Sequence, residues 1–159
     1  MTAENYEYRE NLSIHDDYET MSSIADIVPD DAIEWNGHWY KLYDIDIDSW
    51  EEAKSYCEEK GGYLATITSE AENEFVYNDV LLKAGGNCAY FGLYDLNGNN
   101  NWAWVTGEKV DYLNWASGEP SSADEHYGMY YYLSQFKDGE WNDARFGDGT
   151  KSFICEWGR

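Results

Sequence analysis

Residues 49–72 read SWEEAKSYCEEKGGYLATITSEAE. Ser49 stands directly before Trp50, and Glu52 follows three residues on. This is capping-box spacing, in which a hydroxyl accepts an orphan helix N–H and a carboxylate reaches back. Trp50, Ala53 and Cys57 then fall at i, i+3 and i+7, one face of a helix, and Gly61-Gly62 ends it. Residues 63–67 are too short for a helix and predict a buried strand or extended link. Ser69 and Glu72 repeat the start signal. Phe75, Val76, Asp79, Val80 and Leu82 then predict a second helix that stops before Gly85-Gly86.

Toward the N-terminus, Asn36-Gly37 lies between Glu34-Trp35 and His38–Tyr43, a strong hairpin signal. Residues 1–33 carry nine acids and one arginine. They read as an acidic tail or linker, with a short element packed on the domain around Ile24, Ile27 and Val28, and the domain is expected over 34–159. Residues 1–10 lack the basic and apolar regions of a signal peptide. Asn11-Leu12-Ser13 matches a glycosylation sequon, too short a match to carry weight.

Toward the C-terminus the pattern turns to strand and loop. Ala89–Tyr94 and residues 126–133 and 152–157 read as strands, the last with Phe153, Cys155 and Trp157 alternating onto one face. Residues 95–101 are turn chemistry, 102–105 and 112–115 are short strand pieces, and Asp138-Gly139 is a hairpin turn with its return at 140–142. A hairpin, two helices and then strands make an α+β domain. The long stretch 106–124 has little regular structure of its own, which marks it as functional or disordered.

Composition excludes several functions. The 159 residues carry 32 acids against 10 Lys and Arg, a net charge of −22, and −14 of this falls on residues 34–159 (23 acids, nine bases). Such charge repels phosphate backbones and anionic lipid, so nucleic acid is a poor partner, and no apolar run is long enough to insert in a membrane. With 43% hydrophobic residues the chain can bury a core. Cys57, Cys88 and Cys155 are too few and too scattered for a zinc site; they allow one bridge and one leftover thiol.

One constellation carries chemistry. Glu119, Ser121 and Glu125 flank Pro120 in the long loop, and Asn142 and Asp143 follow Trp141 at a strand turn. All five are oxygen donors, the type from which calcium draws its ~6–8 ligands at ~2.3–2.6 Å. Three carboxylates gathered without a cation would repel one another. A Glu-Pro bond in the cis form would aim the flanking side chains together.

These residues resemble the C-type lectin-like domain family from Glu34 to about Trp157. The resemblance rests on Trp39-Tyr40, Ser49-Trp50-Glu51-Glu52-Ala53 with Cys57, Gly61-Gly62-Tyr63-Leu64-Ala65, and Tyr90-Phe91-Gly92-Leu93 with Asp95. It continues through Trp104, Asn114-Trp115, Gly118-Glu119-Pro120, Trp141-Asn142-Asp143 and Cys155. It implies a double-loop fold, with two helices packed on antiparallel sheets and a long calcium-binding loop. It also implies a calcium-dependent lectin, in which adjacent sugar hydroxyls coordinate the loop-bound ion. Carried over by position, Glu119, Ser121, Glu125, Asn142 and Asp143 are at once the calcium ligands and the sugar-binding residues. Cys57 and Cys155 match the family's bridge between first helix and last strand, which implies an oxidising, extracellular or cell-surface setting.

Three departures from the family pattern bear on function. Ser121 replaces the Asn or Asp of the family's mannose-type and galactose-type loops, so the sugar preference is not readable. Tyr127 and Phe146 stand where the bridge beside the long loop would be, and an aromatic contact between them is expected in its place. Asn99 and His126 stand beside Asp95 where an accessory calcium site would need acids, so one ion is expected.

Other readings of the same residues are weaker. His126 beside Glu125 has no nucleophile to serve and reads as a bystander. Glu119 and Asp143 would imitate glycosidase carboxylates only if one stayed protonated, which shared calcium prevents, so no enzymatic activity is expected. Trp102, Trp104, Trp115 and Trp141 read mainly as core, Tyr130-Tyr131-Tyr132 as alternating faces, and Cys88 as a half-buried thiol. Two functions remain: a calcium-dependent lectin for the monosaccharide end of a glycan, joined to a neighbouring domain, or a calcium-independent module of the same fold that recognises a protein partner.

Overall fold

The computed structural model describes residues 24–158. The sequon and residues 1–23 of the acidic segment lie outside the described residues. Residues 24–27 are helical, and Ile27 lies against Gly61 at the end of the first long helix. Asp31 pairs with Lys41 at 2.7 Å.

Strands β1 (Ile33–Trp35) and β2 (His38–Tyr43) form the expected hairpin. Its turn residues Asn36 and Gly37 both have positive φ, 51° and 80°, as a two-residue hairpin loop requires. Helix α1 (Trp50–Glu59) begins at Ser49, whose Oγ accepts the Glu52 N–H at 3.0 Å, while the Glu52 carboxylate accepts from Asp48 N at 2.8 Å. Strand β3 (Tyr63–Leu64) follows, then helix α2 (Glu70–Phe75), capped by Ser69 in the same way.

The second helix departs from its expected form. Beyond Phe75 it continues as a π-helical segment, Val76–Leu82. The wider turn of that segment rotates the apolar face, so Val76, Val80 and Leu81 are buried and Leu82 is 41% exposed. An α-helical period would have placed Leu82 nearer the inside.

Strands β4 (Ala89–Tyr94), β5 (Ala103–Trp104), β6 (Tyr127–Tyr130), β7 (Trp141–Ala144) and β8 (Phe153–Trp157) complete an eight-stranded sheet ordered β1-β2-β8-β4-β6-β7, with β3 on β8 and β5 on β4. The domain is α+β, as predicted. The elements form one sheet rather than separate sheets, and β4 pairs β8 in parallel at Tyr90 and Phe153.

Strand β8 runs through the centre with both faces covered. Phe153, Cys155 and Trp157 share the expected face, packed with Trp50, Ala53 and Cys57 of α1. The other face is equally buried: Ile154 joins Tyr40, Val80 and Trp141, and Glu156 is fully buried. Glu156 is satisfied by Thr66 N at 2.8 Å, Tyr63 Oη at 2.9 Å and His38 Nδ1 at 2.8 Å. A buried carboxylate is tolerated only with such partners.

Cys57 and Cys155 form a disulfide across 98 residues, and Cys88 is free and half-buried. Replacing both bridge cysteines by alanine is expected to cost about 2–5 kcal/mol, because the unfolded chain regains the entropy of a long closed loop. Urea unfolding of the two forms measures it, and titration of the denatured, unreduced chain should find a single thiol per molecule.

The aromatic substitutes for the second bridge do not meet as expected. Among the described residues Tyr127 stacks on Trp50 with centroids 4.8 Å apart, and its hydroxyl donates to Glu51 at 2.7 Å. Phe146 packs instead on Tyr90 at 5.1 Å. Tyr127 opens β6 and Phe146 follows β7, and each ring packs on a different member, Trp50 or Tyr90, of the same buried cluster. Tyr130 is buried, Tyr131 half-buried and Tyr132 exposed, a gradient rather than alternation, because β6 ends at Tyr130.

Candidate functional site

The long loop is anchored where its residues meet the start of β7. Trp141 N donates to Asn114 O at 2.8 Å and Ala116 N to Trp141 O at 2.9 Å, a parallel bridge between Trp115 and Trp141. Glu119 N then closes a turn onto Ala116 O at 3.0 Å, and the Glu119–Pro120 peptide is cis. These contacts bring residues 119–125 against Asn142 and Asp143.

Asp143 is fully buried and organises the loop. Its Oδ1 and Oδ2 accept from Ser121 N at 2.9 and 3.0 Å, and Oδ2 also accepts from Ser122 N at 3.1 Å. Glu119 lies within hydrogen-bond reach of the same carboxylate. Ser121 Oγ donates to Glu125 Oε2 at 3.4 Å, and Asn142 Nδ2 donates to Asp143 O at 2.6 Å. Glu119, Ser121, Glu125 and Asp143 are thus side by side, while Asn142 turns its amide nitrogen to the backbone.

The electrostatics of this cluster are unfavourable without a counter-charge. Burial raises the Glu119 carboxyl above its ordinary value; the hydrogen bond to Asp143 raises it further, against an opposing hydrogen bond from Ser121. Burial also raises Glu125, with Asp143 adding to the effect and Ser121 and Arg145 opposing it. Glu119 Oε2 is one of two buried side-chain polar atoms without a hydrogen-bond partner among the described residues; the other is Trp104 Nε1. A buried acceptor left unsatisfied costs free energy that a ligand can recover.

The donors are all oxygen, two of them on closely approaching carboxyls, so in kind they fit a hard cation. Among the described residues, however, no three His, Cys, Asp or Glu side chains are grouped as a metal centre. Both Asp143 oxygens are turned to loop amides. The expected accessory position is likewise occupied by protein. Asp95 is buried and accepts from Asn97 N and Asn101 N, both at 3.3 Å, and His126 Nδ1 contacts Asp95 O at 2.7 Å.

Two functional features were not read from the sequence. The Ser122 N–H that holds Asp143 is backbone and leaves no side-chain signal. Asn73 in α2 is buried, and its Oδ1 accepts from Tyr130 Oη at 2.6 Å and Trp141 Nε1 at 2.8 Å, while its Nδ2 donates to Gly139 O at 3.0 Å. It therefore fixes the residue just before Asn142. Its signal was available: Asn73, Val76 and Val80 share helical spacing, a polar residue inside an apolar stripe.

Comparison with known proteins agrees with this fold. The family described as Lectin C-type domain matches residues 46–157. Collectin-43 of Bos taurus is 34% identical over 111 residues, which is 70% of this chain and 34% of the relative. The mouse scavenger receptor C-type lectin carbohydrate-recognition domain superposes with a TM-score of 0.68 at 28% identity, covering 83% of this chain and 97% of that one. A calcium-independent type II antifreeze protein shares the fold alone, with a TM-score of 0.67 at 21% identity, covering 82% of this chain and 94% of its own. The chain belongs to the C-type lectin domain family. It spans about a third of the length of the collectin it matches, and no helix among the described residues is long and apolar enough to cross a membrane.

Proposed function

We propose that this domain is a calcium-dependent carbohydrate-binding lectin, in which Glu119, Ser121, Glu125, Asn142 and Asp143 hold one calcium ion and the hydroxyls of a terminal sugar. The observation that carries this reading is the buried, partnerless Glu119 Oε2 beside the Asp143 carboxyl. A divalent cation satisfies that oxygen and offsets the repulsion. When bound, calcium supplies a Lewis-acidic centre for adjacent hydroxyls. The carboxylates accept hydrogen bonds from the sugar, the Asn142 amide donates one, and Pro120 and the Asp143-bound Ser121 and Ser122 amides fix the loop that presents them. A shared cation would keep Glu119 and Asp143 both ionised, so we take the function to be binding rather than hydrolysis.

Similarity to the mouse scavenger receptor C-type lectin carbohydrate-recognition domain supports the reading. The Cys57–Cys155 bridge supports an extracellular or cell-surface setting, since such bridges persist in oxidising compartments. We take the acidic segment 1–33, whose last residues pack on the domain, as a linker to a neighbouring module, and affinity for glycans as amplified by clustering of several such domains.

Calorimetric titration tests the ion directly: one calcium per chain is expected, and no heat at millimolar calcium overturns the proposal. The pH dependence follows from the shifts. Glu119 and Glu125 take up protons at higher pH than ordinary carboxylates, so calcium affinity should weaken already above the usual carboxylate range as pH falls. The same raised values mean that the metal-free fold loses stability as pH rises through that window. The calcium-induced rise in melting temperature should therefore shrink as pH falls from neutrality into the carboxylate range, starting above the ordinary carboxylate value, and a flat profile argues against carboxylate ligands.

One observation favours a second reading. Both Asp143 oxygens are already satisfied by loop amides, which suits a calcium-independent module that shows its ordered loop to a protein partner. Ligand retention unchanged by chelator would select it.

A further inference from the structure

Beside the proposed calcium loop, an open groove of about 350 Å³ is lined by Asn100, Asn101, Trp102, Leu113, Trp115 and cis-Pro120, among others. A second depression of about 340 Å³ shares Asn100, Trp102 and Pro120 with it and reaches Ser121 and Ser122. Trp102 and Pro120 therefore border both. We infer that the groove is a subsite for a second saccharide unit of a neutral glycan whose terminal unit sits at the calcium loop; this rests on the lectin reading above.

The groove is built rather than accidental. Trp102 Nε1 donates to Asn100 Oδ1 at 2.9 Å, and its ring packs on Trp115 with centroids 4.7 Å apart. Trp115 in turn packs on buried Trp141, which ties the platform to the strand carrying Asn142 and Asp143. The floor of the neighbouring depression is pinned by a close backbone approach: a Cβ on Gly98, which has φ of +62°, would lie 2.2 Å from Ala123 O. Leu113 is left 41% exposed on the rim.

The lining chemistry selects the occupant. In a chain of net charge −22, no charged residue among the described residues lines this groove. It joins indole, leucine and proline surface to two carboxamides. A pyranose has the matching character, an apolar C–H face ringed by hydroxyls that amides can both donate to and accept from. An anionic or cationic ligand would find no counter-charge there.

The test compares calcium-loaded binding of methyl α-mannoside with α-linked mannobiose, and of methyl β-galactoside with lactose. In the unaltered chain, one disaccharide should bind about three- to tenfold more tightly than its methyl glycoside, the gain an aromatic contact supplies. Trp102→Ala should remove that advantage while the methyl glycoside keeps its affinity. Leu113→Lys, on the exposed rim, should reduce it without disturbing the loop, and carries the test if Trp102→Ala loses calcium binding. Equal affinities for disaccharide and methyl glycoside overturn the subsite alone. Preference for an octyl glycoside over the disaccharide also overturns it, in favour of a hydrocarbon occupant. Failure of both methyl glycosides to bind overturns the lectin reading beneath it.

Discussion

Glu119→Ala is expected to abolish calcium-dependent sugar retention and to leave the metal-free fold as stable as before, or more so. Glu119 is half-buried, with one oxygen sealed from water and unpartnered, and its carboxyl is held above the ordinary range by burial and by Asp143. In the folded chain at neutral pH its charge is therefore a cost, and alanine removes that cost. In the calcium form the balance reverses, because the same oxygen becomes a ligand. At calcium about 100 times Kd the unaltered domain gains roughly 2.7 kcal/mol, on the order of 10 °C in melting temperature for a domain of this size. The variant should show almost none of this gain. Thermal melts with calcium and with chelator check both halves. A variant that keeps its calcium shift removes Glu119 from the ligand set, and equal sugar retention in variant and parent favours the metal-independent reading. Glu119→Gln keeps shape and one oxygen but not the charge, so it should fall between the two.

Asn73→Leu is expected to destabilise the domain by about 2–5 kcal/mol, a large share of a typical folding free energy. The change leaves Tyr130 Oη and Trp141 Nε1 buried without their shared acceptor, while Gly139 O keeps Asn114 Nδ2 at 2.7 Å. Two orphaned donors, rather than lost volume, set the cost. Adding Tyr130→Phe to Asn73→Leu should then recover about 1 kcal/mol, since it deletes one of the orphans. Urea midpoints at constant slope measure each arm. Because Trp141 immediately precedes Asn142 and Asp143, Asn73→Leu should also blunt the calcium-induced melting shift, whereas removal of the distant disulfide should lower stability in calcium and chelator alike.

Local signals were the legible part of the fold. Ser49 and Ser69 start their helices because a hydroxyl one residue before a helix meets an N–H two or three residues later, a geometry that needs no distant partner. Asn36-Gly37 turned because both residues tolerate positive φ. The matched spacing of Glu119 to Glu125 and of Asn142-Asp143 pointed to one oxygen-rich corner, and the loop does fold onto that strand. What these signals missed lies between elements. Periodicity cannot distinguish an α from a π turn, so Leu82 was placed inward where Leu81 is buried. Alternation in β8 read one covered face, yet a central strand has two, and Glu156 is buried on the second with partners from β2, β3 and the segment after β3.

The sequence by itself determined the caps, the hairpin turn and the α+β order, because each depends on residues a few positions apart, and it supplied the oxygen-bearing side chains of the loop and of β7. Only the tertiary structure decided how those side chains face one another. Asp143 turns both oxygens to Ser121 and Ser122 amides, Tyr127 chooses Trp50 over Phe146, and Trp102 is left at the lip of a groove beside cis-Pro120. Backbone amides carry no residue identity, and a ring packs on whichever neighbour the sheet brings within reach. Such choices are settled when strands distant in sequence meet.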